Sequence, residues 1–289
     1  MGFWLELAAS GLITGGIYAV VAIGLNLQYG LMRIMNISHG EFLMLGAYLT
    51  WLAHSTLGVN PFALMPAVAL ALFLLGLVVY RLCFYRIART APSVEVIEAR
   101  SLLVGFGLMF LVQNAVYLAW GADLRGYSFL DEPVEIAGAR FMANRLAVFA
   151  FAVAASLALL ALLRWTMIGK AVRAMMQSPT GAQLVGIDTG VLHPLVFGGG
   201  LALAGVAGGL LSMVYEISPS MGEPYTVTAL IVITLGGLGS VLGSLLGAFI
   251  LGLVEAFGMH FTSPSLKMVL SYGVLVAVLL ARPKGLFAR

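Results

Sequence analysis

Long apolar segments follow one another along this sequence, with few charges inside or between them. They lie at residues 5–29, 39–55, 61–82, 101–120, 144–164, 191–215, 226–240, 241–259 and 265–281. A membrane-spanning helix needs about 20 apolar residues. Only 9% of the chain is Asp, Glu, Lys or Arg, whereas soluble domains average about 25%. We therefore predict an all-α fold, a polytopic integral membrane bundle of about eight or nine transmembrane helices, forming a single domain over residues 1–289.

The basic residues predict how the bundle is oriented. Four arginines lie in or next to the loop after the third segment, a second basic cluster lies in residues 164–190, and the C-terminus is basic. Cytoplasmic loops carry an excess of Lys and Arg. These three regions are therefore expected in the cytoplasm and the acidic loop 121–143 outside. The N-terminus is then outside, provided that segments 5–29 and 39–55 both cross fully.

Two polar interruptions fall between or within apolar segments, at residues 29–41 and 216–240. Each is either an ordinary loop or a helix interrupted inside the bilayer. Non-helical backbone at membrane depth is stable only where it is buried or lines a water-filled path. With one interruption in each half, the pattern also suits a weak internal duplication, as in many transporters.

The first interruption contains four polar side chains, Asn36, Ser38, His39 and Glu41. An ionisable group inside a membrane costs at least about 2.5 kcal/mol and usually marks a functional site. The alternative is structural: Asn36 or Ser38 caps the next helix, and Glu41 is stabilised by its dipole. Capping and a role in lining or gating a substrate path are both retained.

A run of glycines ends the second interruption. Gly239, Gly243 and Gly247 are spaced by four residues and predict a smooth helix face for close packing. A direct part in substrate passage is the alternative, and it extends to Gly236 and Gly237.

The loop 164–190 is amphipathic. Ile168, Val172, Met175 and Met176 share one side of a short predicted helix, with Lys170 and Arg173 on other faces. Pro179 ends this helix, and Thr180 could cap a second one that ends near Gly186. Such a segment is either a docking surface for a cytoplasmic partner or an interfacial helix resting on lipid headgroups.

No catalytic or metal-binding pattern is present in the sequence. It has neither a P-loop nor a GxSxG motif, and the four histidines show no metal-ligand spacing. Glu255 lies mid-segment near His260, where it either pairs with a polar group on another helix or faces a cavity. The net charge of +3 lacks the basic stripe of a nucleic-acid-binding protein. We therefore predict neither an enzyme nor a metal, cofactor or nucleic-acid site.

Several motifs resemble one family. Residues 11–48, which contain YG, N, HGE and LGAY in that order, resemble the permease subunits of branched-chain amino acid ABC importers of the LivH type. GKAVRAMMQSPTGAQLVGID, residues 169–188, resembles the cytoplasmic coupling loop of that family. TLGGLGSVLGSLLGAFILGLVE and RPKGLF add two further matches. Together these motifs span nearly the whole chain in the family's order.

The resemblance implies an ABC importer permease fold in the bacterial inner membrane. The partners would be a second, LivM-like permease subunit, two cytoplasmic ATPase subunits that hold ATP and Mg²⁺, and a periplasmic substrate-binding protein. The ATPases would dock on residues 165–190, where the family motif falls on Gly169, Lys170, Arg173, Ala174, Gln183 and Gly186.

The substrate expected from the resemblance is a branched-chain amino acid. Similar permeases carry urea, short amides or small aromatic carboxylates. Two other classes remain as alternatives: a secondary transporter driven by an ion gradient, and a membrane enzyme or assembly scaffold.

Overall fold

A computed structural model describes residues 2–136 and 138–287, and most of these residues are helical. The helices are α1 (Gly2–Met32), α2 (His39–Leu57), α3 (Pro61–Val79), α4 (Tyr85–Thr90), α5 (Val94–Trp120), α6 (Ala143–Trp165), α7 (Met167–Gln177), α8 (Pro179–Leu184), α9 (Thr189–Ser212), α10 (Gly222–Gly236), α11 (Val241–Phe261) and α12 (Lys267–Ala281). A π-helical turn, Tyr80–Phe84, joins α3 to α4, and a 3-10 turn, Pro264–Leu266, precedes α12. The antiparallel strands β1 (Pro133–Ile136) and β2 (Ala139–Met142) form a hairpin. The predicted all-α membrane bundle is confirmed.

Six helical stretches are long and apolar enough to cross a membrane, with α3 and α4 counted as one. The shorter helices α2, α10 and α12 account for the remaining apolar segments of the sequence. Two of these, α2 and α10, begin inside the bundle rather than at its surface. The chain is thus a multi-pass membrane protein.

The basic segments of the sequence meet at one end of the bundle. At this basic end, the Tyr29 hydroxyl donates to Glu98 over 2.8 Å, and the C-terminal Leu286 N–H donates to the carbonyl of Leu235. The opposite, acidic end holds the hairpin, whose Arg140 N–H donates to Glu6 near the N-terminus. Because cytoplasmic loops carry an excess of basic residues, the prediction stays that the basic end faces the cytoplasm and that the N-terminus lies outside.

The helices form two units of inverted direction. In the first, α1 runs from the acidic to the basic end, followed by a break, the shorter α2, and then α3 and α5. In the second, α9 runs from the basic to the acidic end, followed by a break, the shorter α10, and then α11 and α12. Inverted repeats of this kind are a common plan of transporters. The arrangement supports the internal duplication suggested by the two interruptions.

Close glycine contacts join the two units. An added Cβ at Gly15 of α1 would lie 2.9 Å from the carbonyl oxygen of Ala248 in α11, and one at Gly198 of α9 would lie 2.9 Å from that of Phe73 in α3. In both cases, a first helix of one unit packs on a third helix of the other. Small residues permit this approach where lipid supplies no hydrophobic driving force between helices.

The basic loop 164–190 folds into α7 and α8. Thr166 Oγ1 accepts a hydrogen bond from the Gly169 N–H at 3.0 Å, and Ser178 Oγ accepts one from the Gly181 N–H at 3.1 Å. Each hydroxyl therefore caps the helix that follows it. The prediction that Thr180 caps the second helix is wrong: Ser178 is the cap, Pro179 is the first helical residue and Thr180 lies inside α8.

Candidate functional site

The helix α2 begins deep inside the bundle. Its first residue, His39, places Nε2 at 3.1 Å from the carbonyl oxygen of Val21. Val21 precedes the end of α1 at Met32 by eleven residues, which corresponds to about 16 Å of helix. The chain from 33 to 38 therefore turns back into the bundle, and Arg33 makes this reversal with a φ of 55°. This region is a helix interruption at membrane depth, so the simple-loop interpretation is wrong.

Side-chain amides hold the returning chain in place. Asn36 Nδ2 donates to Gln28 Oε1 at 3.1 Å, and Gln28 Nε2 donates to the carbonyl of Phe197 in α9 at 3.1 Å. Ser38 Oγ donates to Asn36 Oδ1 at 2.6 Å. The capping prediction is therefore wrong, because Ser38 occupies the N-cap position of α2 without a side-chain bond to a helical N–H.

Glu41 lies where the two interrupted helices meet. The Gly40 N–H donates to Thr226 Oγ1 of α10 at 2.8 Å, and an added Cβ at Gly222 would lie 2.8 Å from the Glu41 carboxyl carbon. Glu41 is fully buried, and among the described residues neither carboxyl oxygen has a hydrogen-bond partner. The positive ends of both helices approach this carboxyl group. In inverted-repeat transporters, substrate sites form at such broken helices.

The second interruption consists of two turns around a regular helix. Residues 213–221 and 237–240 are non-helical, whereas α10 between them is continuous. Gly237 and Gly239 have φ values of 100° and 84°. Gly239 therefore lies in the turn before α11, and the expectation that it continues a helical ridge is wrong.

The glycine face of α11 begins at Gly243. An added Cβ at Gly243 would overlap the backbone of Gly236, at the end of α10. At Gly247, an added Cβ would lie 3.1 Å from the carbonyl oxygen of Val232. These glycines thus bring α10 and α11 together directly beneath the turn 237–240.

Glu255 has partners that the sequence did not reveal. Tyr18 Oη donates to Glu255 Oε2 at 2.7 Å, and the Ser271 hydroxyl donates to Oε1. Lys267 Nζ is 3.5 Å from Oε2. Tyr18 and Ser271 lie on other helices, so the expectation that Glu255 pairs with a polar group across helices is confirmed. Lys267 and Ser271 are four residues apart at the start of α12, and that helical spacing is the signal that points to a shared partner.

The helices α7 and α8 present both buried and exposed apolar residues. Val172 and Met175 are buried. Met176 packs on Gly30 and Gly239, since an added Cβ at Gly30 would lie 2.5 Å from Met176 Cε. Ile168 is 56% exposed, so the prediction that it shares one environment with Val172 and Met175 on one side of the helix is wrong.

The other residues predicted for this loop divide between its two sides. Gly169 is buried against the backbone of Leu162 and Leu163, and Ala174 is half-buried. The remaining four are exposed: Lys170, Arg173, Gln183 and Gly186. Exposed apolar side chains accompany them at Trp165, Met167, Ile168, Leu184 and Val185; we call these five residues the docking patch.

Metal binding finds no support in the parts of the chain that the structure describes. They contain no group of three or more His, Cys, Asp or Glu residues that could hold a metal ion.

Most of the chain matches one family model. Residues 7–279 match the model described as "Branched-chain amino acid transport system / permease component". A relative from Pseudomonas aeruginosa, the high-affinity branched-chain amino acid transport system permease protein BraD, is 30% identical, with 99% of this chain and 96% of the relative aligned. The protein named LivH in Escherichia coli K12 is 30% identical, with the same two coverages.

A more distant relative comes from an archaeon. The probable branched-chain amino acid transport permease protein LivH of Methanocaldococcus jannaschii is 28% identical, with 95% of this chain and 90% of the relative aligned. No solved structure matches the chain.

Proposed function

The chain belongs to the family of branched-chain amino acid transport system permease components, and from that premise we propose that it is the transmembrane permease subunit of an ABC importer. Its substrate is a branched-chain amino acid, and it is located in the bacterial inner membrane. The names of its full-length relatives support this substrate class.

The observation that carries this proposal is the docking patch, whose residues lie in α7 and α8 or directly next to them. Five large apolar side chains are exposed at the basic end, while the other side of α7 is buried through Val172 and Met175. An exposed apolar cluster of this kind marks an interaction surface. Exposed Lys170 and Arg173 stand beside it, which suits a partner that carries acidic groups.

The anchoring of α7 supports an ATPase partner over lipid alone. Met176 reaches both Gly30 in α1 and the turn before α11 at Gly239. A displacement of α7 would therefore act directly on α1 and on this turn. An interfacial helix that only rests on headgroups needs no such contact, whereas ATP-driven transport does.

The proposed division of labour assigns ATP and Mg²⁺ to two cytoplasmic ATPase subunits. A second, LivM-like permease completes the membrane unit, and a periplasmic binding protein delivers the substrate to the acidic end. This chain itself supplies no ATP hydrolysis. Substrate choice is shared with the binding protein, and a sister substrate such as urea, a short amide or an aromatic carboxylate would arrive by the same route.

An ion-coupled secondary transporter is the second candidate. Coupling ions bind at broken helices in such proteins, and Glu41, which has no hydrogen-bond partner among the described residues, lies at the start of α2 beside such a break. Membrane vesicles distinguish the two. Leucine uptake by the complete complex should require ATP and both ATPase subunits; uptake that persists without them, driven by an ion gradient, would establish the secondary transporter.

Docking is tested by placing charges in the patch. Ile168→Asp combined with Leu184→Asp should abolish co-purification of the ATPase subunits while leaving the permease pair intact. Leu124→Asp is the matched control, since Leu124 is equally exposed but lies in the loop at the acidic end. Equal ATPase recovery from the double variant and the control would show that the patch is not the docking surface.

A further inference from the structure

A cavity of about 280 Å³ lies between α1, α10, α11 and α12. Pro224, Met268 and Tyr272, which line it, are exposed, so the cavity opens between α10 and α12. Small-molecule sites range upward from about 300 Å³, so this volume suits a small metabolite.

The charged groups of the cavity come from two different helices. Glu255 in α11 is 1% exposed, and its carboxylate accepts hydrogen bonds from Tyr18 and Ser271. Lys267, at the first turn of α12, is 3.5 Å from the same carboxylate. A cation at a helix N-terminus is disfavoured by the helix dipole, so this lysine is placed there at some cost to α12.

The ammonium group of Lys267 has unused binding capacity. It carries three donors, and within the described ranges its only polar partner is the Glu255 carboxylate, beyond hydrogen-bond distance. The ammonium also lies 5.6 Å from the centre of the Tyr18 ring. Glu255, for its part, has two carboxylate oxygens with about four acceptor sites, of which the two hydroxyl groups occupy two.

Apart from Thr228, the remaining wall of the cavity is apolar. Met221, Val227 and Ile231 line it on the side of α10, and Met268 on the side of α12. The lining also contains the ion pair and three tyrosines, Tyr18, Tyr225 and Tyr272. Charged groups of this kind are costly where they face lipid tails. The combination of a cation, an anion and an apolar wall fits a zwitterion with an aliphatic side chain.

A second cavity of about 110 Å³ adjoins the first. The two share Tyr18, Tyr225 and Lys267, and the smaller one continues to Tyr215 in the segment 213–221. Lys267 thus stands between a space that reaches toward the acidic end and a larger one beside α10.

We propose that the larger cavity is a substrate site within the permease, in which Lys267 binds the carboxylate and Glu255 the ammonium group of an aliphatic amino acid. The side chain of the amino acid lies against Val227, Ile231 and Met268. This inference rests on the proposed import function and adds to it a specificity determinant in the membrane subunit. Molecules that lack either charged group lose one of the two ionic contacts.

Cysteine protection tests binding directly. Thr228 lines the cavity, and Cys83 is the chain's single cysteine, so Thr228→Cys in a Cys83→Ser background gives one reporter in the assembled complex. Leucine at millimolar concentration should slow maleimide labelling about tenfold, whereas isoamylamine and 4-methylpentanoate should not. Absence of leucine protection, or equal protection by all three compounds, would overturn the proposal.

Two adjacent residues supply a matched pair for transport. Met268 and Val269 are similarly exposed, at 55% and 61%, but only Met268 lines the cavity. Met268→Trp should reduce ATP-dependent leucine uptake about tenfold with normal complex assembly, and Val269→Trp should leave it within about twofold of wild type. Equal uptake by the two variants would refute a substrate role for the cavity.

The two assays separate this proposal from the import function. Wild-type uptake with no leucine protection leaves the importer standing and removes the cavity site. Leucine protection without ATP-dependent uptake by the wild-type complex supports the cavity site and removes the importer. Lys267→Met should abolish the protection by leucine in either case, and retained protection in that variant would exclude Lys267 as the carboxylate ligand.

Discussion

The side-chain amide of Asn26, inside the apolar helix α1, holds the backbone of Gly239 in the turn before α11. Asn26 Oδ1 accepts a hydrogen bond from the Gly239 N–H at 2.7 Å. Its Nδ2 donates to the Ser240 carbonyl at 2.9 Å and to Ser244 Oγ at 2.6 Å. One buried side chain therefore bonds backbone groups of the turn between α10 and α11. This turn is shielded from water, where unpaired backbone groups are costly.

Replacing Asn26 with leucine should destabilise the protein. Asn26→Leu keeps a similar volume but leaves the Gly239 N–H unpaired, and an unsatisfied buried donor costs about 1–3 kcal/mol. The midpoint of thermal unfolding in detergent should fall accordingly. Asn114→Leu is the control, because Asn114 is exposed and donates only to Phe110 of its own helix. If both variants melted at the same temperature, the Asn26 amide would have no special role in stability.

Met176 should be needed to couple ATP hydrolysis to transport. Met176→Ala removes the side chain that lies on Gly30 and Gly239 while leaving the docking patch in place. ATPase activity should therefore persist and leucine uptake should fall, which is measured as the number of substrates carried per ATP. An unchanged ratio would show that α7 acts through other contacts.

A second substitution at the same contact tests the coupling independently. Gly30→Ala places a methyl group 2.5 Å from Met176 Cε and should lower the same ratio. Adding Met176→Leu, which shortens the side chain, should restore part of it. Gly107→Ala, at a position with open space around it, should have no effect.

The meeting of α2 and α10 should tolerate no added methyl group. An added Cβ at Gly40 would overlap the Gly222 backbone, and overpacking typically costs about 1–3 kcal/mol. Gly40→Ala should therefore lower the thermal stability of the purified permease. Gly199→Ala, within α9 and without a neighbour in reach, should not. Similar stability of both variants would place the two helix ends farther apart than in this structure.

The membrane fold was predictable because insertion depends on composition summed over about 20 residues, which each apolar segment displays. The apolar segment 226–240 was visible, but the bounds of the helix it forms, α10 at Gly222–Gly236, were not. The start of α10 lies against Gly40, which is far from it in sequence. The polar groups at Asn36 and Glu41 were found because they stand out in an apolar context, but Gln28, the partner of Asn36, was not.

Long-range pairs explain the remaining differences between sequence and structure. Asn26 and Ser240 are 214 positions apart, and Tyr18 and Glu255 are 237 apart. Helical periodicity reports which residues share a face and gives no information about the facing helix. The same limit affected Ile168, because its spacing matched Val172 but its side chain is 56% exposed.

A helix break in α7 should uncouple the complex. Ala174→Pro removes a backbone donor in the helix interior, at a cost of about 3 kcal/mol. Leucine uptake should be lost while membrane insertion remains normal, and the ATPase should no longer respond to the loaded binding protein. Arg173→Glu should act similarly by reversing an exposed charge, whereas Lys284→Glu, exposed in the C-terminal segment, should not. Normal coupling in Ala174→Pro would exclude α7 from this role.

Glu41 should affect transport and stability in opposite directions. A buried carboxylate without a hydrogen-bond partner is costly, so Glu41→Gln should leave the thermal unfolding midpoint unchanged or raise it. If the carboxylate lines or gates the path between α2 and α10, the same variant should reduce leucine uptake about tenfold. Glu135→Gln, exposed in the hairpin, serves as the control for both measurements. A stable Glu41→Gln permease with normal uptake would reduce Glu41 to a dispensable buried acid; a destabilised one would show that its carboxylate holds the two helix ends together.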